Sequence, residues 1–184
     1  MKRIVSLLIC FAVIMAFAGC DRANTSSDTN GVDVEYYAKL GKMPESEYAL
    51  SDDCEKVKSE LTAKSEEDES FICSIDEGQQ SVLINTGNFY YYYDKSKADK
   101  GISCIVALDT AYGFENGTIS LEIKEALSKF TPEESENTDN LFFMNDMDNG
   151  SQLKYQFGKN TVIFVFQDNA LCATVLYDSE NWNL

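Results

Sequence analysis

A weak internal repeat with a period of 69 residues limits the folds that are open to this chain. Two sets of four apolar residues superimpose under this shift, and each set has the spacing of one face of an amphipathic helix. They are Leu50, Cys54, Val57 and Leu61 in the first copy, and Ile119, Ile123, Ala126 and Phe130 in the second. Ser51 and Ser120 are suitable caps for the two predicted helices. Pro132 helps to end the second helix.

After each predicted helix, the chain contains short apolar runs that are separated by turn-forming residues. The runs are Phe71–Ile75, Val82–Ile84, Phe89–Tyr93 and Ile102–Leu108 in the first copy, and Leu141–Met144, Leu153–Phe157, Val162–Phe166 and Leu171–Tyr177 in the second. Short turns such as Gly87-Asn88 and Gly158-Lys159 predict antiparallel pairing, because parallel strands need a long crossover. The run Val162–Phe166 is apolar throughout, which predicts a central strand that is covered on both faces.

The pattern predicts an α+β fold of two tandem helix-plus-antiparallel-meander units that form one curved sheet backed by helices. The first unit spans residues 32–115 and the second spans residues 116–184. The segment Val32–Leu40 remains ambiguous at this point. Its alternation of apolar and polar residues fits a strand, and a short helix from Val34 to Lys42 fits nearly as well.

The N-terminus has the pattern of an export signal. Lys2 and Arg3 precede an uncharged apolar run, Ile4 to Phe17, that is too short to span a bilayer comfortably. The stretch Phe17-Ala18-Gly19-Cys20 resembles the lipobox of bacterial lipoproteins, which implies that Cys20 is lipidated. We therefore predict a lipoprotein signal peptide in residues 1–19, and in residues 20–31 a lipidated cysteine with a flexible polar tether.

The charge of the chain excludes one class of partner, and its histidine content excludes several kinds of active site. The formal net charge is −16, and removal of the predicted leader, which holds Lys2 and Arg3 but no acid, brings it to −18. Such a surface repels nucleic acid and anionic headgroups. Because the chain contains no histidine, Ser-His-Asp and Cys-His catalysis and His-ligated metal sites are excluded.

Four cysteines lie outside the predicted leader and lipid site: Cys54, Cys73, Cys104 and Cys172. An even number outside the cytoplasm is compatible with disulfides, and four cysteines allow three pairings. All four fall in apolar helix or strand patterns, where a free cysteine packs as a small hydrophobe. The pattern therefore supports one bridge of unknown pairing better than two. The chain has no Cys-x-x-Cys spacing for a redox or thiolate metal site.

The run Phe89-Tyr90-Tyr91-Tyr92-Tyr93 is the best binding candidate in the sequence. In a strand, Tyr91 and Tyr93 point to one face, and Tyr90 and Tyr92 point to the other. Exposed tyrosines supply a large contact area with a polar tip, which favours contact with protein or sugar. The alternative is that the rings pack across to neighbouring strands. We predict that two of the four tyrosines are solvent-exposed and belong to the contact face.

The stretch from Asn145 to Gly150 is similar to a calcium-binding loop but lacks key ligands. Met147 stands where an oxygen ligand is required, and no glutamate lies six residues beyond Gly150. The dipeptide Asn149-Gly150 is a strong hairpin signal. We therefore predict a turn here, and neither a metal site nor a cofactor.

The tandem layout and the export signal together resemble the β-lactamase-inhibitor-protein family and the BamE-like small lipoproteins. This resemblance implies a protein-binding role with the sheet surface as the contact face. The predicted function is a lipid-anchored, extracytoplasmic, non-catalytic module that binds another envelope or extracellular protein, or an envelope polymer. Two alternatives remain open. One is a carboxylate-dependent enzyme that acts on a glycan, and the other is a carrier of a small ligand.

Overall fold

A computed structural model describes residues 33–97, 101–108, 118–119, 121–135 and 150–181, all of which belong to one compact unit. The helices in this part of the chain are α1 (Val34–Lys39), α2 (Cys54–Glu67) and α3 (Leu121–Leu127). The strands are β1 (Ser74–Glu77), β2 (Ser81–Asn85), β3 (Phe89–Asp94), β4 (Cys104–Leu108), β5 (Glu133–Ser135), β6 (Gly150–Phe157), β7 (Asn160–Gln167) and β8 (Ala170–Asp178).

The structure decides the ambiguous N-terminal segment in favour of a helix. The side chain of Asp33 caps α1 by accepting a hydrogen bond from the backbone N–H of Tyr36 at 3.0 Å. Val34 and Ala38 are four residues apart and are both buried, which a helix allows because such residues share one face. Burial of this face against the rest of the protein therefore outweighs the local strand alternation.

Helix α2 has the predicted apolar stripe but a different cap. Cys54, Val57 and Leu61 are buried, as predicted. The cap is Asp53, whose side chain accepts from the N–H of Lys56 at 2.9 Å. Ser51, the predicted cap, has a positive φ of 71° and lies outside the helix.

Helix α3 buries Ile123 and Leu127, whereas the predicted Ala126 is exposed. Residues 119, 123 and 127 are four apart and also share one face of a helix. Leu127, which is larger than Ala126, therefore occupies the buried position. The predicted cap Ser120 lies outside the described residues, as does the predicted strand Leu141–Met144.

The eight strands form one antiparallel sheet in the order β1-β2-β3-β4-β8-β7-β6-β5. The central pair is β4 and β8, in which Val106 lies opposite Val175. These two valines are residues that the shift of 69 superimposes. From each edge to the centre the strands follow chain order, β1 to β4 on one side and β5 to β8 on the other. The tandem repeat in the sequence stays a prediction.

The predicted fold class, two helix-plus-meander units backed by helices, is wrong. The described residues form mainly a single sheet, and the helices have only 6, 14 and 7 residues. Helix α1, which the sequence places in the first unit, packs against α3, β6 and β7. The side-chain amide of Asn160 on β7 donates to the carbonyl oxygen of Ala38 at 2.8 Å. Because a segment from the first half covers strands of the second, one continuous core forms on the helix side.

Strand β7 lies between β6 and β8 and is buried on both faces. Val162 and Phe164 belong to the large cluster on the helix side, and Ile163 and Val165 belong to a smaller cluster on the other face. All four side chains are at most 1% exposed. The prediction of a central strand is confirmed for Val162 to Val165, whereas Phe166 is partly exposed.

A close backbone contact fixes the entry to α2 beside the entry to β4. The backbone N–H of Ser51 donates to the carbonyl oxygen of Ile102 at 2.7 Å, and the N–H of Ile102 donates to the carbonyl oxygen of Asp52 at 2.8 Å. A Cβ atom on Gly101 would lie only 2.7 Å from the Cα of Ser51. Only glycine fits this position without a shift of the backbone.

Candidate functional site

The predicted lipidation site, Cys20, and the tether of residues 20–31 lie outside the described residues. None of the described helices has both the length and the apolar character that a membrane crossing requires. The membrane attachment therefore stays a prediction from the sequence.

The tyrosine run forms β3, and its side chains alternate between the two faces of the sheet. Tyr91 and Tyr93 are 2% and 7% exposed and belong to the core on the helix side. Tyr90 and Tyr92 lie on the opposite face, where they are partly exposed and pack against the smaller cluster. The structure therefore places two of the four predicted contact residues inside the protein.

Tyr90 and Tyr92 lie beside two further partly exposed residues of β2. Leu83 is the cross-strand partner of Tyr92, and Asn85 is the cross-strand partner of Tyr90. We call these four residues the tyrosine surface. They combine two phenol hydroxyls, one amide and one apolar side chain on strands whose pairing fixes their positions. Such a mixture of aromatic area and polar groups is typical of protein contact surfaces.

On the helix side, Tyr91 organises the loop that precedes α2. Its phenol oxygen lies 3.1 Å from the hydroxyl of Ser46, which itself donates to the carbonyl oxygen of Tyr48 at 2.7 Å. The rings of Tyr48 and Tyr91 meet edge to face, with centroids 5.5 Å apart. Burial raises the pKa of Tyr91. Because Tyr48 and Tyr91 are both buried, the core holds Ser46 through both of its hydrogen-bond partners.

Next to this loop is a cleft of about 170 Å³. Its apolar lining comes from Leu61, Phe71, Phe89 and Tyr91, and the exposed side chains of Glu45 and Glu47 line its solvent side. Thr86 and Asn88 complete the lining, and we call these eight residues the aromatic cleft. Among the lining residues, Tyr91 was a predicted contact residue, whereas Glu45, Glu47 and Phe71 were not. The sequence assigned Phe71 to the apolar run Phe71–Ile75, but in the structure it lies before β1, which begins at Ser74.

The four cysteines predicted as disulfide candidates are all free thiols in the structure. Cys104 on β4 pairs with Tyr177 of β8, five residues along that strand from Cys172. Five strand residues span roughly 17 Å, whereas bridged Cα atoms lie within about 7 Å of each other. These two thiols cannot form a bridge in this fold.

Burial makes two of the thiols poor nucleophiles. It raises the pKa of the buried Cys104 thiol strongly, and it raises that of Cys54 to about 11. Cys172 is partly exposed at an irregular position between β7 and β8, where its thiol donates to the carbonyl oxygen of Val165 at 3.3 Å. No reactive thiolate is expected at Cys104 or Cys54 near neutral pH.

The carboxylates of the described residues show the features of structural groups. The shifted ones are Glu35, Asp68, Glu77, Asp94 and Asp178, and the pKa of each is lowered, chiefly by hydrogen bonds from neighbouring lysines, serines or backbone N–H groups. A general acid on a glycan needs the opposite shift. Within the described ranges, no cluster of three potential metal ligands occurs. The stretch from Asn145 to Asn149 lies outside them.

No family model, curated protein or solved structure matches this chain. The resemblance to the β-lactamase-inhibitor-protein family and the BamE-like lipoproteins therefore stays a prediction.

Proposed function

We propose that this protein is a lipid-anchored extracytoplasmic module that binds a protein or polymer of the cell envelope and has no catalytic activity. The leader pattern that ends at Cys20 supports the location. The observation that carries the binding role is the tyrosine surface, where Tyr90 and Tyr92 are partly exposed on the sheet face opposite to the three helices.

The rigidity of this surface supports a role in binding. Tyr90 and Tyr92 lie on a strand that is paired on both sides, with β2 and with β4. Their buried neighbours Tyr91 and Tyr93 fix the strand in the core from the other face. A surface that is ordered before binding loses little conformational entropy in the complex.

The two alternatives receive less support from the geometry. Glu45 and Glu47 are the carboxylates of the aromatic cleft, but both are exposed, whereas a catalytic acid is held in an apolar pocket. A carrier needs an enclosed apolar pocket of about 300 Å³ or more. The aromatic cleft, at about 170 Å³, is smaller than that, and two larger clefts, of about 430 Å³ beside Tyr48 and about 410 Å³ beside Leu153, are open to solvent and not enclosed.

The test is quantitative capture from envelope extract by the chain from Asp21 onward, which contains the whole compact unit from Gly31. The test variant combines Tyr90→Ser and Tyr92→Ser. The matched control is Tyr36→Ser, because Tyr36 is 55% exposed on α1, away from β3. We expect the double variant to capture at least about tenfold less partner, because the removal of aromatic contact residues weakens binding by this order. The control should keep it.

A second variant separates loss of contact from loss of folding. Leu83→Arg adds a bulky charge to the tyrosine surface and removes no tyrosine from the strand, and thermal unfolding shows whether each variant is folded. Folded variants that both keep full capture would place the contact elsewhere on the molecule. Failure of the native chain to capture any protein or polymer would reject the proposed function.

A further inference from the structure

We propose that the aromatic cleft receives a lysine or arginine side chain of the bound partner, an inference that rests on the proposed function as a binding module. The partner is then a protein that presents a basic side chain. The inference depends on the size of the cleft, its aromatic walls, its charge and the way in which its acidic loop is held.

The volume of the cleft fits one long side chain. It encloses about 170 Å³, whereas pockets for small organic ligands begin at about 300 Å³. It is lined by the loop before α2, by α2 itself, by Phe71 in the segment after α2, and by the turn between β2 and β3 together with the start of β3. A side chain that projects from a partner surface can therefore enter while the partner backbone stays outside.

The walls of the cleft suit a cation on an aliphatic stem. Phe71 and Phe89 are partly exposed, and the rings of Phe89 and Tyr91 stack with centroids 6.1 Å apart. Aromatic faces attract a guanidinium or ammonium group through the charge distribution of the ring. The methylene groups of lysine and arginine pack on apolar surface while the charged head stays near water.

The charge at the cleft is complementary to such a guest. Glu47 forms an ion pair with Lys64. Glu45 is exposed, and no described residue forms an ion pair with it. A partner cation would therefore meet one uncompensated carboxylate at the cleft and a chain of net charge −16 around it. Charge complementarity of this kind guides association and selects the partner.

The loop that presents the two acids is held in place before any partner arrives. Met43 is fully buried at one end of the loop, and Ser46 and Tyr48 are buried between the two glutamates and after them. The Ser46 hydroxyl contacts Tyr91, as described above. Glu45 has a φ of 63°, in the left-handed region that non-glycine residues rarely adopt. The alternation of buried and exposed residues holds the backbone of the loop in the core and leaves the side chains of Glu45 and Glu47 exposed at the cleft.

The test uses two synthetic peptides on the chain from Asp21 onward. One is acetyl-Gly-Arg-Gly-amide, and the other has citrulline, the uncharged isostere of arginine, at the same position. Binding is measured by the movement of backbone amide NMR signals. We expect the arginine peptide to shift the signals of residues 45–47 and 89–91 and to bind more weakly as salt is added. The citrulline peptide should bind at least about fivefold more weakly.

Two variants test the role of the carboxylate. Glu45→Gln keeps the shape of the side chain and should lower the affinity for the arginine peptide by about fivefold. Glu66→Gln, an exposed change near the end of α2, is the matched control and should leave the affinity unchanged. Equal binding of both peptides, or an affinity that Glu45→Gln does not change, would overturn the inference.

The outcomes distinguish this inference from the proposed function. If the arginine peptide does not bind while an envelope partner is still captured through the tyrosine surface, the binding module stands and the cation site is rejected. If the peptide binds at the cleft while no envelope partner is captured, the cation site stands and the proposed module is rejected.

Discussion

Strands β3 and β7 are both internal strands of one sheet, yet they differ in burial. In β7, Val162 to Val165 are at most 1% exposed, so both faces of the strand are covered. In β3, Tyr91 and Tyr93 on the helix side are buried, whereas Phe89 on the same side and Tyr90 and Tyr92 on the other face are partly exposed. Strand β3 contains five aromatic residues, whereas β7 contains two phenylalanines and three aliphatic residues, so the strands differ in composition as well as in what packs on each face.

The comparison shows that strand pairing is more extensive around β7 than around β3, which carries the tyrosine surface. Strand β7 pairs with the two longest strands besides itself, β6 and β8, over eight positions each. Strand β3 pairs with the shorter β2 and β4 over five and four positions. We therefore expect substitutions in β7 and its neighbours to affect mainly folding, and substitutions on the open face of β3 to affect mainly binding.

The largest expected effect is the loss of a fully buried ring from β7. Phe164→Ala should destabilise the protein by about 3–5 kcal/mol, because Phe164 has no solvent exposure and the cavity cannot refill. Phe89→Ala in β3 should cost only about 1–2 kcal/mol, since Phe89 is partly exposed. Urea unfolding of both variants measures the difference. Equal costs would contradict the claim that β7 is the more buried strand.

For glycine substitutions the larger cost is expected away from β7, because the closest contact of an added Cβ is at Gly101, shortly before β4. Gly101→Ala should cost about 3 kcal/mol, since its Cβ would meet the backbone of Ser51. Gly158→Ala lies in the turn before β7, where a Cβ meets nothing within 4 Å and only the positive φ of 68° is unfavourable. Its cost should be about 1 kcal/mol. Thermal unfolding of the pair gives the order, and a costlier Gly158→Ala would refute the backbone contact.

A smaller effect of opposite sign is expected beside β7. Thr174 on β8 lies opposite Phe164 and is 1% exposed, and its hydroxyl has no hydrogen-bond partner among the described residues. Thr174→Val removes the unsatisfied hydroxyl with little change of shape, so it should stabilise the protein by about 1 kcal/mol. The free energy of unfolding in urea checks this. Destabilisation would show that the hydroxyl is satisfied in solution.

The smallest effect concerns the aspartates at the ends of β8 and β3. Desolvation of Asp178 is outweighed by hydrogen bonds from Lys159 and the N–H of Glu180, so its pKa is lowered. A lowered folded pKa stabilises the protein above the unfolded value of about 3.9, and this stabilisation is lost as the pH falls through the folded pKa. Lys159→Met should therefore cost about 1 kcal/mol at pH 7 and progressively less below about pH 4.

The control for this pair is Lys97→Met near Asp94, at the end of β3. The pKa of Asp94 is lowered mainly by its hydrogen bonds with Ser96, and Lys97 contributes least among the causes. This change should therefore alter the free energy of unfolding by less than about 0.5 kcal/mol at either pH. Unfolding curves at pH 7 and pH 3 test both variants, and an unchanged cost of Lys159→Met at pH 3 would contradict the ion-pair explanation.

The sequence predicted the individual strands far better than their arrangement. The runs that became β2, β3, β4, β6, β7 and β8 were recognised from apolar patterns and from glycine turns such as Gly87 and Gly158, both of which have a positive φ in the structure. Strand β5 was missed, because Glu133 and Glu134 have the composition of a solvated loop. Its pairing with β6 depends on backbone hydrogen bonds, which side-chain patterns do not report.

The residues of the proposed binding surfaces were predicted only in part, because side-chain patterns do not report contacts between distant segments. The tyrosine run was located from its composition, but composition does not state which face of a strand is covered. The aromatic cleft was not predicted, because Glu45, Phe71 and Phe89 are distant in the sequence and meet only after the chain folds.

The local features of this protein follow from the amino-acid sequence alone: the leader pattern that ends at Cys20, the acidic charge, the antiparallel hairpins and the stripe of α2. These depend on residue type and short spacing, which act over a few residues. Three further features depend on tertiary contacts: α1 is a helix, one sheet replaces two units, and Tyr91 is buried while Tyr90 is partly exposed. Burial is set by contacts between distant segments, as in the hydrogen bond from Asn160 to Ala38, and no local pattern contains that information.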